Sequence, residues 1–286
     1  MAFTTILSTS DLAAHVADPH WAIVDCRFQL ADVTWGEREY AAAHISGAAY
    51  AHLDRDLSGQ KTGTNGRHPL PDPTTLGNAF GRLGIANDKQ VVAYDQDSGM
   101  FASRLWWLLR WMGHEAVAVL DGGFAAWTAE GRPVVAADAD DNTPKQARFT
   151  GSPRSDMTVA LADVKARLGH HDSLLVDARA PERYRGEVEP LDRVPGHIPG
   201  AVNSFFQRNL NDRGQLRSPD ELRQQWSEVL GGLPADRVVC YCGSGVQACE
   251  NLLALERAGM KGAKLYPGSW SEWSSDPSRP VEPPPK

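Results

Sequence analysis

The 286-residue sequence predicts an α/β protein of two tandem domains, each a mostly parallel sheet flanked by helices. Three observations carry this. Short apolar runs alternate with stretches patterned as helices. The chain repeats itself. A polar segment separates the two copies.

In the first half the runs "AIVD" (Ala22–Asp25), "QVVAY" (Gln90–Tyr94) and "AVAVL" (Ala116–Leu120) read as buried strands. "GMFASRLWWLLRWMG" (Gly99–Gly113) carries apolar residues at helical spacing and ends on glycine. In the second half "LLVD" (Leu174–Asp177) and "RVVCY" (Arg237–Tyr241) read as strands, and "SPDELRQQWSEVLGG" (Ser218–Gly232) as a helix. Strands that are apolar throughout and alternate with helices imply a parallel sheet covered on both faces.

The halves match in four places in the same order. "AIVDCR" matches "LLVDAR", "AHISGAAY" matches "GHIPGAVN", "RLGIANDKQVVAYDQDSG" matches "VLGGLPADRVVCYCGSG", and "LDGGFAAW" matches "YPGSWSEW". The offset stays between 146 (Leu120 to Tyr266) and 153 (Ala43 to Gly196). This sets domains at 1–135 and 156–286, with 136–155 as a linker rich in Asp, Pro and Gly. The tail "DPSRPVEPPPK" is Pro-rich and expected to be extended.

Composition narrows the function. The chain is 42% hydrophobic and 23% charged, with a net charge of −7. That balance fits a globular core and argues against a nucleic-acid or membrane-surface partner. The start, "MAFTTILSTSDLAAHV", lacks the pattern of a signal peptide, and no apolar run is long enough to span a membrane. The four cysteines Cys26, Cys240, Cys242 and Cys249 suit neither a disulfide framework nor a zinc site, so no metal is expected and a cytoplasmic location with reduced thiols is the simplest reading. The nine tryptophans cluster at spacings that suit core packing.

One stretch carries chemistry: "VVCYCGSGVQAC". Cys242 follows the carboxyl end of a strand, where ligands of open α/β sheets bind. Gly243 and Gly245 allow a tight loop whose N–H groups turn inward, and a helix starting near Val246 adds its positive end. Both features favour a thiolate nucleophile. The equivalent strand of the first half ends at Asp95, so that half is expected to be non-catalytic.

"CGSGV" after "VVCY", in a two-copy chain with "GHIPGA" and "YPGSWSEW", resembles the tandem-domain rhodanese superfamily, and within it the 3-mercaptopyruvate and thiosulfate sulfurtransferases. The resemblance covers almost the whole chain. It implies that Cys242 takes sulfane sulfur as a persulfide and passes it to a thiol, to cyanide or to a thioredoxin-like protein. It implies no cofactor, because the cysteine itself carries the sulfur. It also implies that Ser244 acts with His68 and Asp54, contributed by the first domain, as a proton relay. Gly243 and Ser244 are neutral where thiosulfate-preferring relatives have basic residues, which favours mercaptopyruvate as donor, with thiosulfate as the alternative.

A donor carboxylate calls for arginine. Arg183 has no counterpart in the first half and matches the family arginine that faces the loop. Arg179 repeats in the first half as Arg27, beside Asp177 and Asp25, and reads as a structural ion pair. A second substrate arginine is left open between Arg193 and Arg185. Gln247 stands where the family usually has threonine, and its backbone N–H is expected to line the loop with that of Val246. His44 and His197 recur in both halves and read as turn-locking residues. A cysteine phosphatase is disfavoured because Ala248 stands where its loop needs arginine. A non-catalytic binding protein is the remaining rival.

Overall fold

The computed structural model describes residues 2–139, 144–170 and 172–283; part of the expected linker and the last tail residues lie outside them. By its contacts the chain forms two compact units. The first comprises residues 1–59, 71–154 and 212–216, and the second 60–70, 155–211 and 217–286.

The first unit holds β1 (Ile6–Leu7), α1 (Thr9–Ala13), β2 (Trp21–Asp25), α2 (Trp35–Ala42), β3 (Ala48–Tyr50), α3 (Pro73–Arg82), β4 (Gln90–Tyr94), α4 (Ala102–Trp111), β5 (Val117–Leu120) and α5 (Gly123–Ala129). Its strands form one parallel sheet in the order β1-β5-β4-β2-β3. The second unit holds α6 (Leu161–Ala166), β6 (Leu174–Asp177), α7 (Pro181–Tyr184), β7 (Val202–Asn203), α8 (Pro219–Leu230), β8 (Val238–Tyr241), α9 (Ala248–Arg257), β9 (Lys264–Leu265) and α10 (Ser269–Trp273). Its parallel sheet runs β7-β6-β8-β9. The expected strands and helices are all present. β1, β3, β7 and β9 were not foreseen, because two or three residues show no periodicity.

Local chemistry explains the ends. Ser218 caps α8 in a reciprocal box with Glu221, Pro219 opens the helix, and Gly231 closes it at φ +57°. α4 is buried on nearly every side, as its Leu-Trp-Trp-Leu-Leu run requires. In the first unit Ile23, Val92, Tyr94, Ala118 and Trp127 pack one core. Val239, Tyr241, Tyr266, Trp270 and Trp273 pack the matching core of the second. No helix among the described residues is long and apolar enough to cross a membrane.

The repeated Asp–Arg pairs brace both sheets. Asp25–Arg27 and Asp177–Arg179 are fully buried ion pairs at 2.7 and 2.6 Å. Each arginine also donates to a backbone carbonyl, that of Ala43 or Gly196. The repeated histidines lock turns as expected. His44 Nδ1 meets the Tyr40 carbonyl oxygen and His197 Nδ1 that of Tyr184, each ring stacked on the same tyrosine.

Candidate active site

Cys242 stands directly after β8, a strand with a partner on each side, and is 1% exposed. Its Sγ accepts N–H bonds from Ser244 at 3.4 Å and Gly245 at 3.1 Å. Gly245 has φ +78°, and a Cβ there would lie 2.5 Å from the Pro267 carbonyl oxygen, so both conformation and space demand glycine.

Cys242 is held from behind by the start of α10. The Cys242 N–H donates to Ser269 Oγ at 3.2 Å, and the Cys242 and Gly243 carbonyls accept from Trp270 and Ser271 N–H at 2.9 Å each. Ser269 Oγ donates in turn to the Tyr266 carbonyl at 2.9 Å. Ser269 has φ +55°, the one left-handed residue among the described residues that is not glycine. The first half has Gly123 there, at φ +58°. A serine accepts this strain where its hydroxyl is needed. The only sequence signal for Ser269 is the Gly-to-Ser difference between the repeats, Gly123 against Ser269.

Val246 and Gln247 turn the chain into α9. Their carbonyls accept from Cys249 and Glu250 N–H at 3.0 and 3.1 Å. Neither bonds Sγ among the described residues, so the cradle is made by Ser244 and Gly245. Cys249 is fully buried and donates its thiol proton to the Gly245 carbonyl at 3.3 Å, supporting the loop.

Ser244 Oγ lies 2.7 Å from His68 Nδ1, across 176 residues of sequence, and both side chains are buried. The repeat puts His68 in the first half of the chain, yet its segment, Gln60–Leu70, packs with the second unit. Asp54 belongs to the first unit, where its backbone N–H donates to His52 Nδ1 at 3.1 Å.

Arg183, at the end of α7, donates from Nε and Nη2 to Glu189 and from Nη2 to Asp192. Arg67, one residue before His68, pairs with the other oxygen of Asp192. A Cβ on Gly243 would lie 2.6 Å from Arg67 Nη2 and 3.6 Å from Nη1 and Nη2 of Arg183. Two guanidinium groups therefore stand against the loop position where the sequence showed no charge. Glu189 also meets Arg179 at 3.2 Å. Burial pushes the Asp192 carboxyl up from its ordinary range, and Arg67 opposes this. Arg193 is exposed and lines a cavity of about 260 Å³ with Lys61, Gly66, Arg67, Asp192 and Ser271. Arg185 is exposed and forks onto Glu187. Arg67, Glu189 and Asp192 were missed in the sequence, where nothing local distinguishes them.

In the first unit the matching loop grips a carboxylate. Asp95 accepts N–H bonds from Asp97, Gly99, Phe101 and Ala102 at 2.7–3.2 Å. Burial outweighs these bonds and raises its acid to about 6. The scaffold there presents the same kind of anion cradle around a carboxylate, where the second unit has a thiol.

The rhodanese-like domain model matches residues 8–130 and again 160–276. The chain belongs to the rhodanese-like family. It is 46% identical over 283 residues, 98% of this chain and 99% of the other, to a Pseudomonas aeruginosa protein named "Probable 3-mercaptopyruvate sulfurtransferase". A rat thiosulfate sulfurtransferase is 32% identical over 95% of this chain and 92% of its own. The solved 3-mercaptopyruvate sulfurtransferase of Leishmania major superposes with a TM-score of 0.83 at 31% identity, covering 95% of this chain and 74% of that one. Two rhodanese-like domains, each a parallel sheet with flanking helices, are thus the architecture of this chain.

Proposed function

We propose that this sulfurtransferase takes sulfur from 3-mercaptopyruvate as a persulfide on Cys242 and hands it to a thiol, to cyanide or to a thioredoxin-like protein. The observation that carries this reading is the pairing at one loop of two N–H groups on Cys242 Sγ with a hydroxyl 2.7 Å from a histidine.

The Cys242 thiolate attacks the thiol sulfur of the donor. The S–S bond forms, the donor C–S bond breaks, and its electron pair leaves as pyruvate enolate. The enolate needs one proton. In this reading Ser244 gives it and His68 replaces it, so that the pair acts as a general acid. Asp54 is retained as a member of the proton relay, as the family resemblance implies. The acceptor thiolate then attacks the outer sulfur of the persulfide, and Cys242 leaves as thiolate.

The donor preference is supported by charge balance. Arg67 and Arg183 bring two positive charges to the loop, and Glu189 and Asp192 answer both from buried positions. Such a site suits a monoanionic donor that needs a proton better than the dianion thiosulfate. The buried nucleophile favours a small donor. Four free thiols support a reducing, cytoplasmic setting.

The test is steady-state kinetics with 3-mercaptopyruvate and thiosulfate at one acceptor concentration, beside Cys242→Ser. A higher kcat/KM for 3-mercaptopyruvate, lost in Cys242→Ser, is the expected result. A preference for thiosulfate would move the reading to that donor.

A further inference from the structure

We propose that Arg67 is the second donor-binding cation of the site, and that Asp192 is its built-in competitor. The inference rests on the reading of Cys242 as nucleophile toward an anionic donor. It differs from the sequence expectation, which looked for a second arginine in the 183–193 segment.

Four observations support it. Arg67 Nη2 lies 2.6 Å from where a Gly243 Cβ would stand, next to the nucleophile in sequence. Arg183 Nη1 and Nη2 lie 3.6 Å from the same point, so both guanidinium groups face one spot beside the loop. Among the described residues, Arg67 Nη2 and Arg183 Nη1 have no hydrogen-bond acceptor, while the other η nitrogens of the two arginines hold carboxylates. A single carboxylate, Asp192, already bridges the two arginines, one oxygen on each. The site therefore has the geometry for a bridging carboxylate and two donors turned toward the loop. The alternatives lack this placement: Arg193 is exposed, and Arg185 is tied to Glu187 at the surface.

Gly243 acquires a physical reason. It leaves room for charge brought by another segment, in place of charge carried on the loop. Asp192 acquires one too. It keeps the paired arginines compensated, and a donor carboxylate must compete with it for the same cations.

Arg67→Met, Arg67→Lys and Asp192→Asn are compared with the parent by KM and kcat for 3-mercaptopyruvate. In parallel, Cys242 alkylation by iodoacetate, an anion, is timed against iodoacetamide, its neutral analogue. Loss of one charge-assisted contact predicts that Arg67→Met raises KM roughly 10- to 100-fold and lowers the iodoacetate-to-iodoacetamide rate ratio by a similar factor, with Arg67→Lys restoring part of both. Asp192→Asn removes the competing carboxylate but keeps the cation, so its KM falls; an unchanged KM overturns the competitor role. Arg67→Met with unchanged KM and unchanged rate ratio overturns the proposal. Equal rises in KM for Arg67→Met and Asp192→Asn overturn it as well, since they mark the pair as a structural brace. Absence of 3-mercaptopyruvate turnover in the parent sinks the donor reading alone, because the alkylation ratio still decides Arg67.

Discussion

Ser269 offers a prediction in which stability and activity part company. It pays for a left-handed backbone at φ +55°, a conformation that costs a non-glycine residue about 1–2 kcal/mol. In return its hydroxyl accepts the buried Cys242 N–H at 3.2 Å, a donor whose loss of partner costs about 1–3 kcal/mol. Ser269→Ala keeps the strain and loses the bond, so it is expected to destabilise the protein by about 1–3 kcal/mol. Ser269→Gly loses the same bond but relieves the strain, so it should come out about 1–2 kcal/mol better than alanine, near the parent. The gap between the variants corresponds to roughly 2–8 °C in Tm. Both variants leave the Cys242 N–H without its Ser269 anchor and should lose activity together. Thermal unfolding measured beside kcat/KM tests this. Glycine as unstable as alanine would refute the strain account, and full activity in Ser269→Gly would refute the anchoring account.

Three further outcomes are expected. Ser244→Ala and His68→Gln should each lower kcat for 3-mercaptopyruvate by roughly 10²–10⁴-fold, the double variant losing little more, because the two groups handle one proton; additive losses would separate them. Asp95 has a folded-state acid raised to about 6 from an ordinary 3.8, so its contribution favours the folded state below about pH 4 and is lost as pH rises through 6; Asp95→Asn should therefore gain roughly 3 kcal/mol on the parent in urea unfolding between pH 4 and 7, and a flat difference would refute the raised acid. Arg179→Met strands Asp177 and Glu189 in the interior and should cost about 3–5 kcal/mol in the same assay, whereas a neutral effect would mean that the pair does not brace the sheet.

Much of the fold was legible because its signals are local. Apolar strand runs and helical spacing predicted β2, β4, β6, β8, α4 and α8, and the internal repeat predicted two similar sheets. The shortest strands were not legible. Residues such as Lys264–Leu265 become a strand only because the edge of β8 is there to pair with them. Cys242 was legible for a similar reason: a strand, a glycine loop and a helix in succession place a thiol at a sheet end without help from distant residues.

The sequence by itself therefore determined the duplicated architecture, a thiol at one sheet end, a carboxylate, Asp95, at the matching end of the other sheet, and the paired structural arginines. Tertiary structure alone decided what surrounds the thiol. Residues 60–70 pack with the second unit, and this puts His68 on Ser244 and Arg67 against Gly243. The Ser269 hydroxyl reaches the Cys242 amide only because α10 returns beside β8. Local pattern encodes which face of a strand or helix is buried; it does not encode which distant side chains share a few ångströms of interior, and catalytic charge is set at that range.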